Sequence, residues 1–265
     1  MRLPVPMEFG DKTFTEAEIR RPTGGVIADT KRVADRGDVY AAMATFVAGC
    51  LVSLGDETDR GQLRVYAREL SYVNAEYLAI EALVATGIAD DIEGVYACPR
   101  CDHQITVEPT EDDDEGEHIS DLEVKYAEGP VFADVEVDPP VKITNASTEE
   151  ELVCVETIKV GMPSLSQLSR AFKRYGMADR VRMQFSAYVD STEEVNGAPV
   201  DGKWRSTWGM LVFDRMDAMT VNEITRGLRE HGRAIAVSRL CPSCGKRWDA
   251  EVDTTGFFAS GLEGN

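Results

Sequence analysis

Apolar and polar residues alternate over Val5-Pro-Met-Glu-Phe9 and again over Thr13-Phe-Thr-Glu-Ala-Glu-Ile19, with Gly10-Asp11-Lys12 between them. A period of two around turn residues predicts a β-hairpin. Arg20-Arg-Pro-Thr-Gly-Gly25 breaks the alternation with turn chemistry. The period then lengthens. A helix is predicted from about Val26 to Arg36, and a second over Val39 to Leu54, where Tyr40, Met43, Phe46, Val47 and Leu51 share one face. Two more follow over Leu63–Leu70 and Asn74–Leu83, the latter with Tyr77, Leu78, Ile80 and Leu83 able to face a core. The first third is therefore an α-rich block behind a hairpin.

Beyond it the pattern is mixed. Val131, Ala133, Val135 and Val137, then Val153, Val155, Ile158 and Val160, predict two strands separated by Glu149-Glu-Glu151. Ser164 is set to cap a helix that Gly176 stops. Its apolar face is Leu165, Leu168, Phe172 and Tyr175, and Arg170, Lys173 and Arg174 lie opposite. Val181–Val189 and Trp208–Phe213 read as further strands, with Asn196-Gly197 and Asp201-Gly202 as turns between them. Thr220-Val-Asn-Glu223 has capping-box spacing for a helix ending near His231-Gly232, and Gly256-Phe257-Phe258 and a frayed Ser260–Asn265 finish the chain. The expected fold class is α+β: residues 1–94 as the hairpin and α-rich block, residues 95–265 as a mixed strand and helix domain.

Charge narrows the partners. The net charge is −19 and is uneven. Asp102 to Val160 holds eighteen Asp or Glu against Lys125, Lys142 and Lys159, whereas Ser164 to Ala250 holds fourteen Lys or Arg against ten acids. Phosphate backbones are repelled by such a chain, so protein partners, copies of itself among them, suit it better than nucleic acid. The acidic run Glu111-Asp-Asp-Asp-Glu115 lacks the alternating ligands and sharp glycine of a calcium loop and reads as solvated. Polar Glu8, Asp11 and Lys12 interrupt the start before any signal-peptide core, and the most apolar run, Val39 to Leu54, falls short of the roughly 20 residues a bilayer helix needs. No membrane association is expected.

Two Cys-Pro-X-Cys knuckles carry the candidate chemistry: Cys98-Pro99-Arg100-Cys101 and Cys241-Pro242-Ser243-Cys244. Each presents two thiolates from one tight turn, and two such turns complete the tetrahedral four-sulfur shell that zinc prefers. With 139 residues between Cys101 and Cys241, one shared metal requires a ribbon closed by the two ends of a long insert. Two separate reduced pairs, or disulfides, are the competing reading, and iron suits four thiolates as well as zinc does. Cys50 and Cys154 lie in apolar stretches and read as small buried hydrophobes. A reducing compartment follows from this cysteine usage.

Catalytic patterns are missing from the sequence. It has three histidines, His103, His118 and His231, none in a motif that recruits a nucleophile. His103 sits two residues after a knuckle thiolate as an alternative or outer ligand. There is no Gly-X-Ser-X-Gly elbow, no His-Glu-X-X-His helix and no phosphate loop. A four-thiolate zinc is closed to substrate, so the expectation is a structural metal, no catalytic residues and no enzyme.

The order of these motifs resembles the baseplate hub assembly proteins of T-even-like contractile phages and, through the N-terminal third, the tail assembly chaperones of Mu-like phages. The residues that carry it are Ile19-Arg20-Arg21-Pro22, Val47-Ala-Gly-Cys50, the tyrosine-rich helices and Ala97-Cys-Pro-Arg-Cys101. Ile158-Lys-Val-Gly-Met-Pro-Ser164 and Cys241-Pro-Ser-Cys-Gly245 before Phe257-Phe258 complete it. The long acidic insert after the first knuckle and Trp204-Arg-Ser-Thr-Trp208 depart from the pattern. The resemblance implies a non-enzymatic virion assembly protein whose partners are other baseplate or tail proteins. It would be located in the host cytoplasm during assembly or in the tail baseplate itself, with homo-oligomers left open. Cys98, Cys101, Cys241 and Cys244 carry over as the metal shell. Exposed Trp204 and Trp208 are candidates for a partner surface, weighed against core packing. The alternative is a zinc-ribbon nucleic-acid-binding or transcription-associated module that uses the Arg170–Arg182 face with Arg100, Lys246 and Arg247 at the ribbon tip.

Overall fold

The computed structural model describes residues 1–85, 94–107, 123–124, 131–148, 150–232 and 235–251. The acidic run 111–115, His118, Phe257-Phe258 and the tail 260–265 lie outside them. The fold is mixed α+β: helices alternate with small antiparallel sheets.

The opening hairpin forms as its alternation dictates, β1 over Arg2–Phe9 and β2 over Lys12–Ile19. Leu3, Met7, Phe14 and Ala17 turn into the core. Helices α1 (Gly24–Ala34) and α2 (Val39–Cys50) follow, capped by the side chains of Thr23 and Asp38. The helix expected to run to Leu54 stops at Cys50, and Leu51–Leu54 forms β3, antiparallel to β2 with Ile19 opposite Leu51 and Ala17 opposite Leu54. The free edge of β2 offers unmade backbone hydrogen bonds that another helical turn could not satisfy. Helices α3 (Arg60–Glu69) and α4 (Tyr72–Val84) close this layer, each started by an N-cap acceptor, Asp59 and Ser71. Met43, Phe46, Leu51, Leu54, Leu63, Leu70 and Leu78 are fully buried in its core.

A second core forms against a sheet in the order β10-β9-β8-β7. Strand β7 (Phe132–Thr144) and strand β8 (Glu151–Gly161) pair antiparallel, with an irregularity between Glu136 and Val141 where Pro139 and Pro140 have no N–H to donate to the ladder. Ser164 makes a full capping box with Gln167 at the start of α5 (Leu165–Tyr175).

Two expected strands are helices. Residues Arg180–Ser191 form α6, capped by Asp179, whose side chain accepts the Arg182 N–H at 3.1 Å. Phe185, Tyr188 and Val189, at helical spacing, meet the second core, while Val181, in the first turn of the helix, is left exposed. Strand β9 (Thr192–Val195) and the short β10 (Ala198–Pro199) turn at Asn196-Gly197. Trp204–Trp208 is then a π-helical turn running into α7 (Gly209–Phe213). Asp201 accepts the Trp204 N–H at 2.9 Å and so starts a helix where a strand was expected. Trp204 is buried and Trp208 packs against the same core, so the first is a core residue and not a partner surface. Helix α8 (Ala218–Gly232) lies on β7. It begins two residues before Thr220, and Asp217 accepts the Met219 N–H at 2.8 Å, so Thr220 and Glu223 are interior positions and not a capping box.

The layers are stitched together. Leu165 belongs to the first core and Val5 and Val73 to the second. The Leu165 N–H donates to the Leu70 carbonyl and the Tyr72 N–H to the Pro163 carbonyl, at 3.1 Å each.

Candidate metal centre

Each knuckle sits at the tip of a two-stranded antiparallel hairpin. Strands β4 (Gly94–Ala97) and β5 (Gln104–Val107) carry the first, and β11 (Ile235–Leu240) and β12 (Arg247–Glu251) the second. The short β6 (Glu123–Val124) extends the second sheet along β11.

The two turns are built alike. The Cys98 N–H donates to the His103 carbonyl and the Asp102 N–H to the Cys98 carbonyl, both at 2.9 Å. In the other turn the Cys241 N–H donates to the Lys246 carbonyl and the Gly245 N–H to the Cys241 carbonyl, again at 2.9 Å. The fourth residue after each leading cysteine adopts positive φ, 55° at Asp102 and 69° at Gly245. Glycine takes that conformation freely and aspartate is among the few side chains that tolerate it. Gly245 is recognisable in the sequence for this role; Asp102 is its equivalent and becomes evident only once the turns are compared.

All four sulfurs lie within 4.8 Å of one another, and no other group of this kind exists among the described residues. Cys98 Sγ is 3.6 Å from Cys244 Sγ, and Cys101 Sγ is 3.7 Å from Cys241 Sγ. A tetrahedron with metal–sulfur bonds of about 2.3 Å has edges of about 3.8 Å, whereas a disulfide needs sulfurs about 2.05 Å apart. The close pairs run between the hairpins, so neither knuckle is a separate pair, and all four cysteines are free thiols. Cys98 and Cys241 are buried, Cys244 is half-buried and Cys101 faces solvent.

Burial works against the Cys98 thiolate, but the Arg100 and Cys101 backbone N–H groups and the sulfurs of Cys244 and Cys101 outweigh it and bring the thiol down to about 7. Cys101 shows the opposite result. The His103 N–H favours its thiolate, yet desolvation and the three neighbouring sulfurs together push it up to about 12. Four sulfurs this close cannot all carry charge unless a cation sits between them, and a divalent metal ion would supply that charge.

His103 contributes its backbone carbonyl, and its exposed ring is not one of the clustered groups. Two positions before the leading cysteines, Arg239 and Tyr96 meet across the hairpins, the guanidinium 4.3 Å from the ring centre. The sequence did not show that the two residues pair, since a cation–π contact between distant strands leaves no local pattern. Cys50 is fully buried in the first core and Cys154 lies on β8, both apart from the cluster.

Comparison of the chain with family models, with curated proteins and with solved structures finds no match. Among the described residues, no helix is long and apolar enough to cross a membrane.

Proposed function

We propose that Cys98, Cys101, Cys241 and Cys244 hold one structural zinc ion, and that the protein works without catalysis as an assembly component of the baseplate or hub of a contractile phage tail or a related injection machine. The observation that carries the metal reading is the interleaved sulfur shell, with edges of 3.6 and 3.7 Å between knuckles that lie 139 residues apart. Four thiolates fill a tetrahedral ion and leave no position for substrate, so the ion's role is to join the two ends of the inserted segment and contribute folding energy. The tail assignment is supported by the resemblance in motif order and by an acidic surface suited to protein partners.

The nucleic-acid alternative loses part of its basic face to internal ion pairs. Arg170 pairs with Asp190 at 3.1 Å, Lys173 with Asp38 at 3.6 Å and Arg182 with Asp179 at 3.9 Å. Arg100, Lys246 and Arg247 at the ribbon tip are exposed and remain available to it.

The test is elemental mass spectrometry of purified wild-type and Cys241→Ser protein, with affinity capture of the full chain from producing cells. About one zinc per wild-type chain, lost in the variant, is expected. Iron in its place would change the ion, and no metal in freshly reduced protein would defeat the shared site. Co-purifying tail polypeptides support the assembly role; nucleic acid in their place supports the alternative.

A further inference from the structure

A second candidate site lies in the N-terminal layer and shares no residue with the cysteine cluster. Four arginines line one cleft of about 580 Å3: Arg20, which follows β2, and Arg60, Arg64 and Arg68 of α3. A spacing of four residues puts the last three along one face of the helix, each rising about 6 Å beyond the one before. Two of the four are anchored. Arg20 Nη2 donates to the Gly49 carbonyl at 3.4 Å, and Arg60 Nη1 donates to the Leu51 carbonyl. These contacts tie the guanidinium groups to the end of α2, and among the described residues their remaining N–H groups make no other bond. Arg64 and Arg68 make no hydrogen bond or ion pair among the described residues.

The cleft does little to neutralise this charge. Among the described residues, Asp29 is the one carboxylate in its lining, and its Oδ1 is already 2.7 Å from Arg32 Nη2 on the same helix. The Thr45 hydroxyl donates to the Ala41 carbonyl at 2.8 Å and so adds no donor. The apolar part of the wall comes from Val26, Ala44 and Ala48. A solvated helix face explains one row of arginines. It does not explain a fourth arriving from β2 to converge on the same hollow, in a chain whose net charge is −19.

We propose that this cleft binds a compact polyphosphate: a nucleoside di- or triphosphate, or another small molecule with several phosphates. Guanidinium groups bind phosphate oxygens through paired, charge-assisted N–H bonds, and a row of them at about 6 Å steps spans more than one phosphate. The volume is that of a small-molecule pocket, and the apolar wall gives a ring or chain a surface to lie on. A long nucleic acid would meet the field of the whole acidic chain, whereas a small ligand meets mainly the local one.

Isothermal titration of the full, metal-loaded chain tests this with tripolyphosphate, a nucleoside triphosphate and a short single-stranded oligonucleotide as probes. Saturable binding of tripolyphosphate is expected, weakened about tenfold or more in Arg64→Gln/Arg68→Gln and restored in part by the double lysine variant. A nucleoside triphosphate that binds more tightly than tripolyphosphate identifies a nucleotide as the source; equal binding identifies the phosphate chain alone. Both side chains are exposed and unbonded, so the thermal midpoint without ligand should stay unchanged. The proposal is overturned if no probe binds at millimolar concentration or if the glutamine variant binds undiminished. It is also overturned if only the oligonucleotide binds, with affinity rising with its length.

Discussion

The guanidinium of Arg239 lies 4.3 Å from the centre of the Tyr96 ring, and each residue stands two positions before the leading cysteine of its own knuckle. The pair joins β4 to β11 beside the sulfur cluster and buries a cation against an aromatic face. Such contacts are worth about 0.5–2 kcal/mol when partly desolvated. Tyr96→Leu should lower stability by about that amount and speed metal loss to a competing chelator, while Tyr96→Phe keeps the ring and should behave like wild type. Equal chelator kinetics in all three proteins would remove the pair from any role in holding the hairpins together.

Asn74 acts as a piece of strand. Its Oδ1 accepts the Val5 N–H at 3.0 Å and its Nδ2 donates to the Val5 carbonyl at 2.8 Å, with the asparagine fully buried. Asn74→Ala leaves two buried backbone groups of β1 without partners, a loss of about 2–4 kcal/mol in denaturant unfolding. A loss below about 0.5 kcal/mol would mean that water replaces the amide.

The contact of α1 with α2 depends on Gly49. A Cβ there would sit 2.6 Å from both Cγ atoms of Val26, closer than any real contact. Gly49→Ala is therefore expected to destabilise the protein by about 1–3 kcal/mol, and Val26→Ala in the same chain should recover most of that. Additive losses in a double-mutant cycle would show that the helices do not meet at this point.

Burial pushes the Cys50 thiol up to about 11 from its ordinary 9.0, against a smaller opposing effect of Arg20. The folded state therefore holds this proton after the unfolded chain has released it. Its contribution to stability is complete below pH 9 and is lost as the pH rises towards 11. Wild type should fall more steeply with pH across that window than Cys50→Ala, measured as the difference in thermal midpoint. Parallel curves would contradict a buried neutral thiol.

How much of this was legible beforehand depended on range. The opening hairpin, the cap at Ser164 and the two knuckles are local, because a turn or a cap is set by residues within about one helical turn of one another. The alternation over Val181–Val189 misled because a short apolar run satisfies both periods; the Asp179 cap and the packing of Tyr188 and Val189 chose the helix. Leu51–Leu54 became a strand because β2 offered an unpaired edge, a fact stored elsewhere in the chain.

The same division holds for the sites. The sequence by itself determined that each Cys-Pro-X-Cys turn presents two thiols, since that follows from spacing along one element, whereas the helix predicted over Leu63–Leu70 left Arg60 outside the row it forms with Arg64 and Arg68. Only the tertiary structure decided that the knuckles interleave and that Arg20 joins the other three arginines. Both are meetings of residues far apart in the chain, fixed by sheet pairing and core packing that no local pattern of side chains records.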